Sequence, residues 1–186
     1  MIDSGTKDPL DADKDPNNGV QTVLVLGGAG YVGSVTIGKL LDRGYHVRVM
    51  DALMYGGESL GSYAGREGYT FIDGDLRNVE DVVRASAGAD AVVHLGAVVG
   101  DPACAHDEGL ARAVNLDATR TVAGVARGLG IRRLIFASSC GVYGASDDLL
   151  DEESMVEPVS LYSATKLGSE DVLLSTHSPG FFPTVL

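Results

Sequence analysis

The feature that most constrains this chain is the run Val23-Leu24-Val25-Leu26-Gly27-Gly28-Ala29-Gly30-Tyr31-Val32-Gly33. Four branched apolar residues ending on glycine read as a strand covered on both faces, the pattern of a parallel sheet. Gly27, Gly30 and Gly33 follow at three-residue spacing, and a helical pattern begins at Tyr31. In such a strand-turn-helix the glycines have separate tasks. One makes the tight turn, one lets the backbone approach a diphosphate, and one lets the helix pack close on the strand. The free N–H groups and positive dipole end of the helix suit an anion at the same place.

Short apolar runs and helical patterns alternate along the rest of the chain. Strands are expected at about 22–26, 46–50, 69–72, 91–95, 133–137 and 182–186. One helix is expected at about 31–43 with Val32, Val35, Leu40 and Leu41 on its buried side, and another from Asn78 to about Ser86. A long helix is marked by Leu110, Val114, Leu116, Val122 and Val125, ending near Gly128 or Gly130, and a last one is capped by Ser160. Residues 52–68 read as loop plus a short helix. This alternation is that of an α/β fold with a doubly wound parallel sheet. Asp51 closes the second strand eighteen residues after Gly33. A dinucleotide fold places there the acid that bonds the adenine ribose hydroxyls. No Arg follows directly, so a 2′-phosphate would meet a carboxylate with no cation beside it, and NAD is expected rather than NADP.

With 186 residues, 45% of them hydrophobic, the chain can bury a core as one domain. Its net charge of −12 disfavours nucleic-acid and anionic-membrane partners, which need clustered Lys and Arg. No apolar run has the length of a membrane span, and the N-terminus lacks the basic-then-apolar order of a secretory signal. Two cysteines, Cys104 and Cys140, imply no disulfide framework, and a cytoplasmic location is the expectation. Residues 1–20, acidic and Asp-rich, read as a disordered tail, and 21–186 as the cofactor-binding domain. The four histidines lack metal-ligand spacing, and the acidic stretch 146–158 reads as a solvated loop, so no metal site is expected.

The chemistry-bearing residues fall after the strands. Tyr162 and Lys166 are four apart on a helix and share a face. A free Tyr is a poor base at neutral pH, but a nearby ammonium and a positive nicotinamide ring both favour the phenolate. That phenolate could take a proton from a substrate hydroxyl while hydride leaves for the cofactor. Taken alone, Tyr and Lys at this spacing are usually a solvated helix face, and the pair gains weight only from what precedes it. Ser138 and Ser139 end the fifth strand, where open α/β sheets bind ligands, and Ser139 could hold a reacting hydroxyl; otherwise both merely turn the chain. Asp75 could bond the adenine amino group with Leu76 on the ring, or be a turn Asp. Gly96 and Ala97 are small enough to admit a cofactor's backbone. Asn115 either binds the loop near the nicotinamide or is a half-buried helix Asn. Cys104 and Cys140 could meet at the substrate mouth, as a pair or as bystanders.

Together these pieces resemble the extended short-chain dehydrogenase/reductase family, most closely its nucleoside-diphosphate-sugar epimerases of the UDP-glucose 4-epimerase type. The residues are Gly27 to Gly33, Asp51, Gly74-Asp75-Leu76-Arg77, His94-Leu95-Gly96-Ala97, Asn115, Ser138-Ser139-x-x-Val142-Tyr143-Gly144 and Tyr162-x-x-x-Lys166. The resemblance implies a Rossmann fold and NAD. It implies Tyr162 as catalytic base, Lys166 as its electrostatic partner and nicotinamide-ribose ligand, and Ser139 as partner of the substrate hydroxyl. It also implies cofactor contacts from Tyr31, Val32, Asp51, Asp75, Leu76, Leu95, Gly96, Ala97 and Asn115. The implied reaction is epimerisation of a nucleotide sugar through a 4-keto intermediate. A 4-ketoreductase or dehydrogenase and a non-catalytic NAD-binding module are the alternatives. Family members commonly dimerise through the helices that here lie near 107–128 and 160–175. Two departures stand out. Cys140-Gly141 occupies the place where sugar 4,6-dehydratases of the family carry Asp-Glu, which counts against dehydration. The chain also stops at Leu186, before the usual C-terminal substrate domain, so it reads as truncated and inactive alone.

Overall fold

The computed structural model describes residues 19–147 and 149–186. The tail expected at 1–20 lies outside the described residues except for Gly19 and Val20, as does Asp148 of the acidic stretch. Six strands, β1 (Thr22–Leu26), β2 (His46–Asp51), β3 (Tyr69–Asp73), β4 (Ala91–His94), β5 (Arg133–Phe136) and β6 (Phe182–Val185), form one parallel sheet. Their order is β3-β2-β1-β4-β5-β6. The winding reverses between β1 and β4, and the carboxyl ends of the strands therefore open a crevice there. The doubly wound sheet expected from the sequence is the one observed.

Alternation along β1 serves both faces of the sheet. Leu24 and Leu26 join a core with Val82, Val122, Leu134, Leu173 and Phe181, while Val23 and Val25 pack with Ile37, Leu41, Val47 and Val49. Each such fully buried side chain contributes roughly 1.5–3 kcal/mol. The helices are α1 (Tyr31–Asp42), α2 (Val79–Ser86), α3 (Asp101–His106), α4 (Glu108–Arg112), α5 (Ala118–Gly128) and α6 (Leu161–Ser175). Asn78 caps α2 by accepting from the Glu80 N–H, and Ser160 and Ser163 form a capping box on α6.

Two expectations need correcting. The buried face of α1 is Gly33, Ile37 and Leu41, whereas Val32 and Val35 are 58% and 50% exposed. The cause is Gly33, where a Cβ would come within 2.5 Å of the Gly27 oxygen and 2.7 Å of the Gly28 Cα. The helix turns its glycine onto the strand, and the residues four and eight positions on follow that face. Hydrophobicity patterns give glycine no weight. Likewise, the long helix is α4 and α5 joined by a π turn at Ala113–Asp117, preceded by α3, where the sequence suggests a loop.

Candidate active site

A cavity of about 610 Å³ opens at the carboxyl edge of β1, β2 and β4. Gly27, Gly30, Tyr31, Val32, Gly33, Asp51, Asp75, Leu76, Leu95, Gly96 and Ala97, all expected as cofactor contacts, line it. Gly27 has φ +78°, and a Cβ there would lie 2.5 Å from the Gly96 Cα, so the first turn and the loop after β4 touch backbone to backbone. A Cβ on Gly30 would meet only the Gly27 oxygen at 3.4 Å, which leaves its outer side free for a ligand. The three tasks expected of Gly27, Gly30 and Gly33 are thus distinguishable in the geometry.

Asp51 is anchored by two backbone donors: Oδ2 accepts from the Ala29 N–H and Oδ1 from the Leu53 N–H, both at 2.9 Å. Among the described residues no Lys or Arg lines the cavity. What the cavity offers an anion is the set of N–H groups at the start of α1, whose first turn carries no acid. Ribose hydroxyls suit the Asp51 carboxylate, and a 2′-phosphate does not. The residues present fit NAD. Asp75 is shared with Arg77, whose Nε lies 3.0 Å from both carboxylate oxygens. That guanidinium holds the Asp75 carboxyl below its ordinary range despite partial burial. Sequence pattern does not reveal this partner, although the two residues are adjacent but one.

Beyond the far wall of the cavity stand Ser139, Tyr162 and Lys166. Val98 and Val114 line the cavity and also belong to the apolar cluster against which Tyr162 packs. Ser139 caps a short 3-10 helix, Cys140–Tyr143, by accepting from the Gly141 N–H at 3.1 Å, and its hydroxyl is near enough to Tyr162 to favour the phenolate. Asp101 and Cys104, which follow β4, and Cys140, which follows β5, all act electrostatically on the phenol. Tyr162 packs with Val98 and Cys104, which follow β4, and does not itself line the cavity. Lys166 is 3% exposed; its Nζ donates to the Ala137 carbonyl at 2.8 Å and lies 5.9 Å from the Tyr162 ring centre.

Electrostatics corrects one expectation. Burial raises the Tyr162 phenol above its ordinary value; Cys104, Asp101 and Cys140 push the same way, and the Ser139 hydroxyl opposes them. Burial lowers Lys166 to about 8, against Glu170 and Cys104. The same desolvation penalises both charged forms. The ammonium alone does not bring the phenol down, and the positive charge of a bound nicotinamide is the other influence available.

Asn115 is placed behind the wall rather than open to the cavity. It is 2% exposed, its Oδ1 accepts from the Val98 N–H at 2.8 Å, and its Nδ2 donates to the Val98 carbonyl at 3.0 Å. It thus binds the loop backbone, one of the two roles its position allowed. Glu170 is a residue sequence pattern does not single out. It accepts a hydrogen bond from Ser138 and supports the charge on Lys166. Its spacing, one further turn beyond Tyr162 and Lys166, is the signal that could have found it. Cys104 is buried and Cys140 exposed, both as free thiols.

The NAD dependent epimerase/dehydratase family matches residues 23–186. The UDP-glucose 4-epimerase of Corynebacterium glutamicum is 32% identical over 167 residues, which is 86% of this chain and 47% of that protein. Among solved structures, the UDP-Glc/GlcNAc 4-epimerase of Campylobacter jejuni superposes with a TM-score of 0.82 at 26% identity, over 89% of this chain and 52% of that one. The dTDP-glucose 4,6-dehydratase of Streptomyces venezuelae, solved with NAD bound, also gives 0.82, at 31% identity over 88% of this chain and 54% of that one. The chain thus spans about half the length of the relatives it matches. With its glycine turn, its Asp51 and its sheet order all in the family's arrangement, this chain belongs to the NAD dependent epimerase/dehydratase family.

Proposed function

We propose that this chain is the cofactor-binding portion of a nucleotide-sugar 4-epimerase-like enzyme that works through a 4-keto intermediate. The observation that carries the reading is the meeting of Ser139, Tyr162 and Lys166 beside a cavity suited to NAD. Tyr162 accepts the proton of the sugar 4-hydroxyl, and Ser139 holds that hydroxyl against the phenol. NAD, when bound, supplies the reversible hydride acceptor for C4. Lys166, lowered only to about 8, keeps its ammonium at neutral pH and favours the phenolate. After the 4-keto sugar turns over, Tyr162 returns the proton as the other face is reduced. Cys140 and Gly141 offer no second acid/base pair, which favours epimerisation over dehydration. The helices near 107–128 and 160–175 supply the pairing surface of a homodimer.

Tyr162→Phe in the catalytically complete protein tests this. Turnover should fall by at least about a thousandfold, while NAD affinity stays within about threefold, since the phenyl ring keeps the packing. Turnover at the wild-type rate would remove Tyr162 from the mechanism. Residues 1–186 alone should bind NAD and turn over no nucleotide sugar.

A further inference from the structure

A buried chain of hydrogen bonds joins the cavity wall to the helix that carries Tyr162. Asn115 pairs with both backbone groups of Val98, and its Nδ2 also lies 3.3 Å from Thr165 Oγ1. Thr165 donates its hydroxyl to the Tyr162 carbonyl at 2.8 Å, so it receives the Asn115 hydrogen. Asn115 sits in the π turn; its own carbonyl accepts the Thr119 hydroxyl at 2.8 Å and lies 2.7 Å from Ser169 Oγ, whose one hydrogen is shared with the Thr165 carbonyl at 2.9 Å. These come from α5 and α6. Thr119 in turn lies 3.1 Å from Nε2 of His94, at the end of β4. Its hydroxyl hydrogen is committed to Asn115, so His94 must donate, which fixes the ring as its Nε2–H tautomer. Full burial holds that ring neutral.

We propose that Thr119 and Ser169 are positioning residues: their hydroxyls hold the π turn so that Asn115 clamps Val98 and sets the nicotinamide end of the cavity against Tyr162. Neither touches a ligand, since both are fully buried. A π turn leaves the helical ladder irregular, and a free amide there could rotate away from the loop. The two hydroxyls, one anchored on β4 through His94 and the other on α6, remove that freedom. The proposal rests on the reading that the nicotinamide lies toward Val98 and the adenine toward Asp51.

The test compares NADH with ADP, which reaches only the Asp51 end, on residues 1–186. Thr119→Val keeps the shape and loses both hydrogen bonds. It should bind NADH about tenfold more weakly, the equivalent of one buried hydrogen bond, with lower nicotinamide fluorescence and unchanged ADP affinity. Thr119→Ser restores the hydroxyl and should return NADH affinity to within about twofold of wild type. If Thr119→Val does not fold, Ser169→Ala replaces it with the same expectation. Wild-type NADH affinity in the folded variant would overturn the proposal while leaving the cofactor reading intact, as would equal weakening of NADH and ADP. Failure of both variants to fold would overturn it too, by making the hydroxyls purely structural. A wild-type chain that binds ADP but not NADH would overturn the placement of the nicotinamide itself.

Discussion

At the Asp51 end the site is built from backbone, and at the Tyr162 end from side chains. The first end consists of the Gly27 turn, the Gly96 loop pressed against it, and a carboxylate held by the N–H groups of Ala29 and Leu53. Its parts are either neighbours in sequence or adjacent strands. The second end assembles Ser139, Tyr162, Lys166, Asn115 and Glu170 from the loop after β5, the π turn and α6, across separations of 50 residues or more for Asn115–Thr165 and Asn115–Ser169. A backbone site fails by steric collision. A side-chain site fails by losing charge balance or an internal hydrogen bond.

Collision should give the largest effect. Gly27→Val adds a Cβ 2.5 Å from Gly96 at a left-handed φ. It should destabilise the fold by about 4 kcal/mol or more in urea unfolding. Gly30→Ala should cost less than about 1 kcal/mol, because its φ of −70° suits any residue, yet it should weaken NAD binding. Equal stability losses at the two glycines would erase the distinction between them.

Charge balance comes next. Lys166 titrates at about 8 in the folded chain against 10.5 ordinarily. Below pH 8 both states hold the proton and the full burial penalty is present. Between about 8 and 10.5 the unfolded chain keeps a proton the folded chain has released, so stability rises with pH. The rise is on the order of 3 kcal/mol. Lys166→Met should lack it, and the difference between the two stability curves isolates it from Tyr162 and Cys104, whose raised values act in the opposite sense. Parallel curves would mean that Lys166 is not desolvated.

Asn115→Leu should cost about 2 kcal/mol by leaving the Val98 N–H unpaired and its carbonyl with only the weak Cys104 thiol as donor. Amide exchange at Val98 should quicken with it; unchanged exchange would detach Asn115 from the cavity wall. The smallest effect belongs to Arg77→Ala, because the Asp75–Arg77 pair is partly exposed. It should change stability by less than about 1 kcal/mol. A larger loss would show that the Asp51 end too depends on a side-chain pair.

The same contrast explains what the sequence made legible. Gly27, Gly30, Gly33 and Asp51 could be assigned tasks because each task is local: a turn, a close approach, a strand end. The doubly wound parallel sheet followed from the alternation of elements. The buried face of α1 was not legible, because Gly33 carries no hydrophobic weight although its packing orients the helix. Nor was the π turn, where Asn115 is within hydrogen-bond reach of Thr119, Ser169 and Thr165 from two different helices. The pairing of Asp75 with Arg77 and of Ser138 with Glu170 is a matter of rotamers, which residue spacing does not specify. Tyr162 and Lys166 were visible as a pair, but the penalty that burial places on both charges was not.

The most direct measurement is a crystal structure of this chain with NAD. The account predicts the diphosphate on the Gly30 turn, the adenine ribose on Asp51, and the nicotinamide ribose within about 3.5 Å of Tyr162 Oη or Lys166 Nζ. A nicotinamide folded back toward Tyr55, with Tyr162 and Lys166 touching nothing of the cofactor, would contradict it.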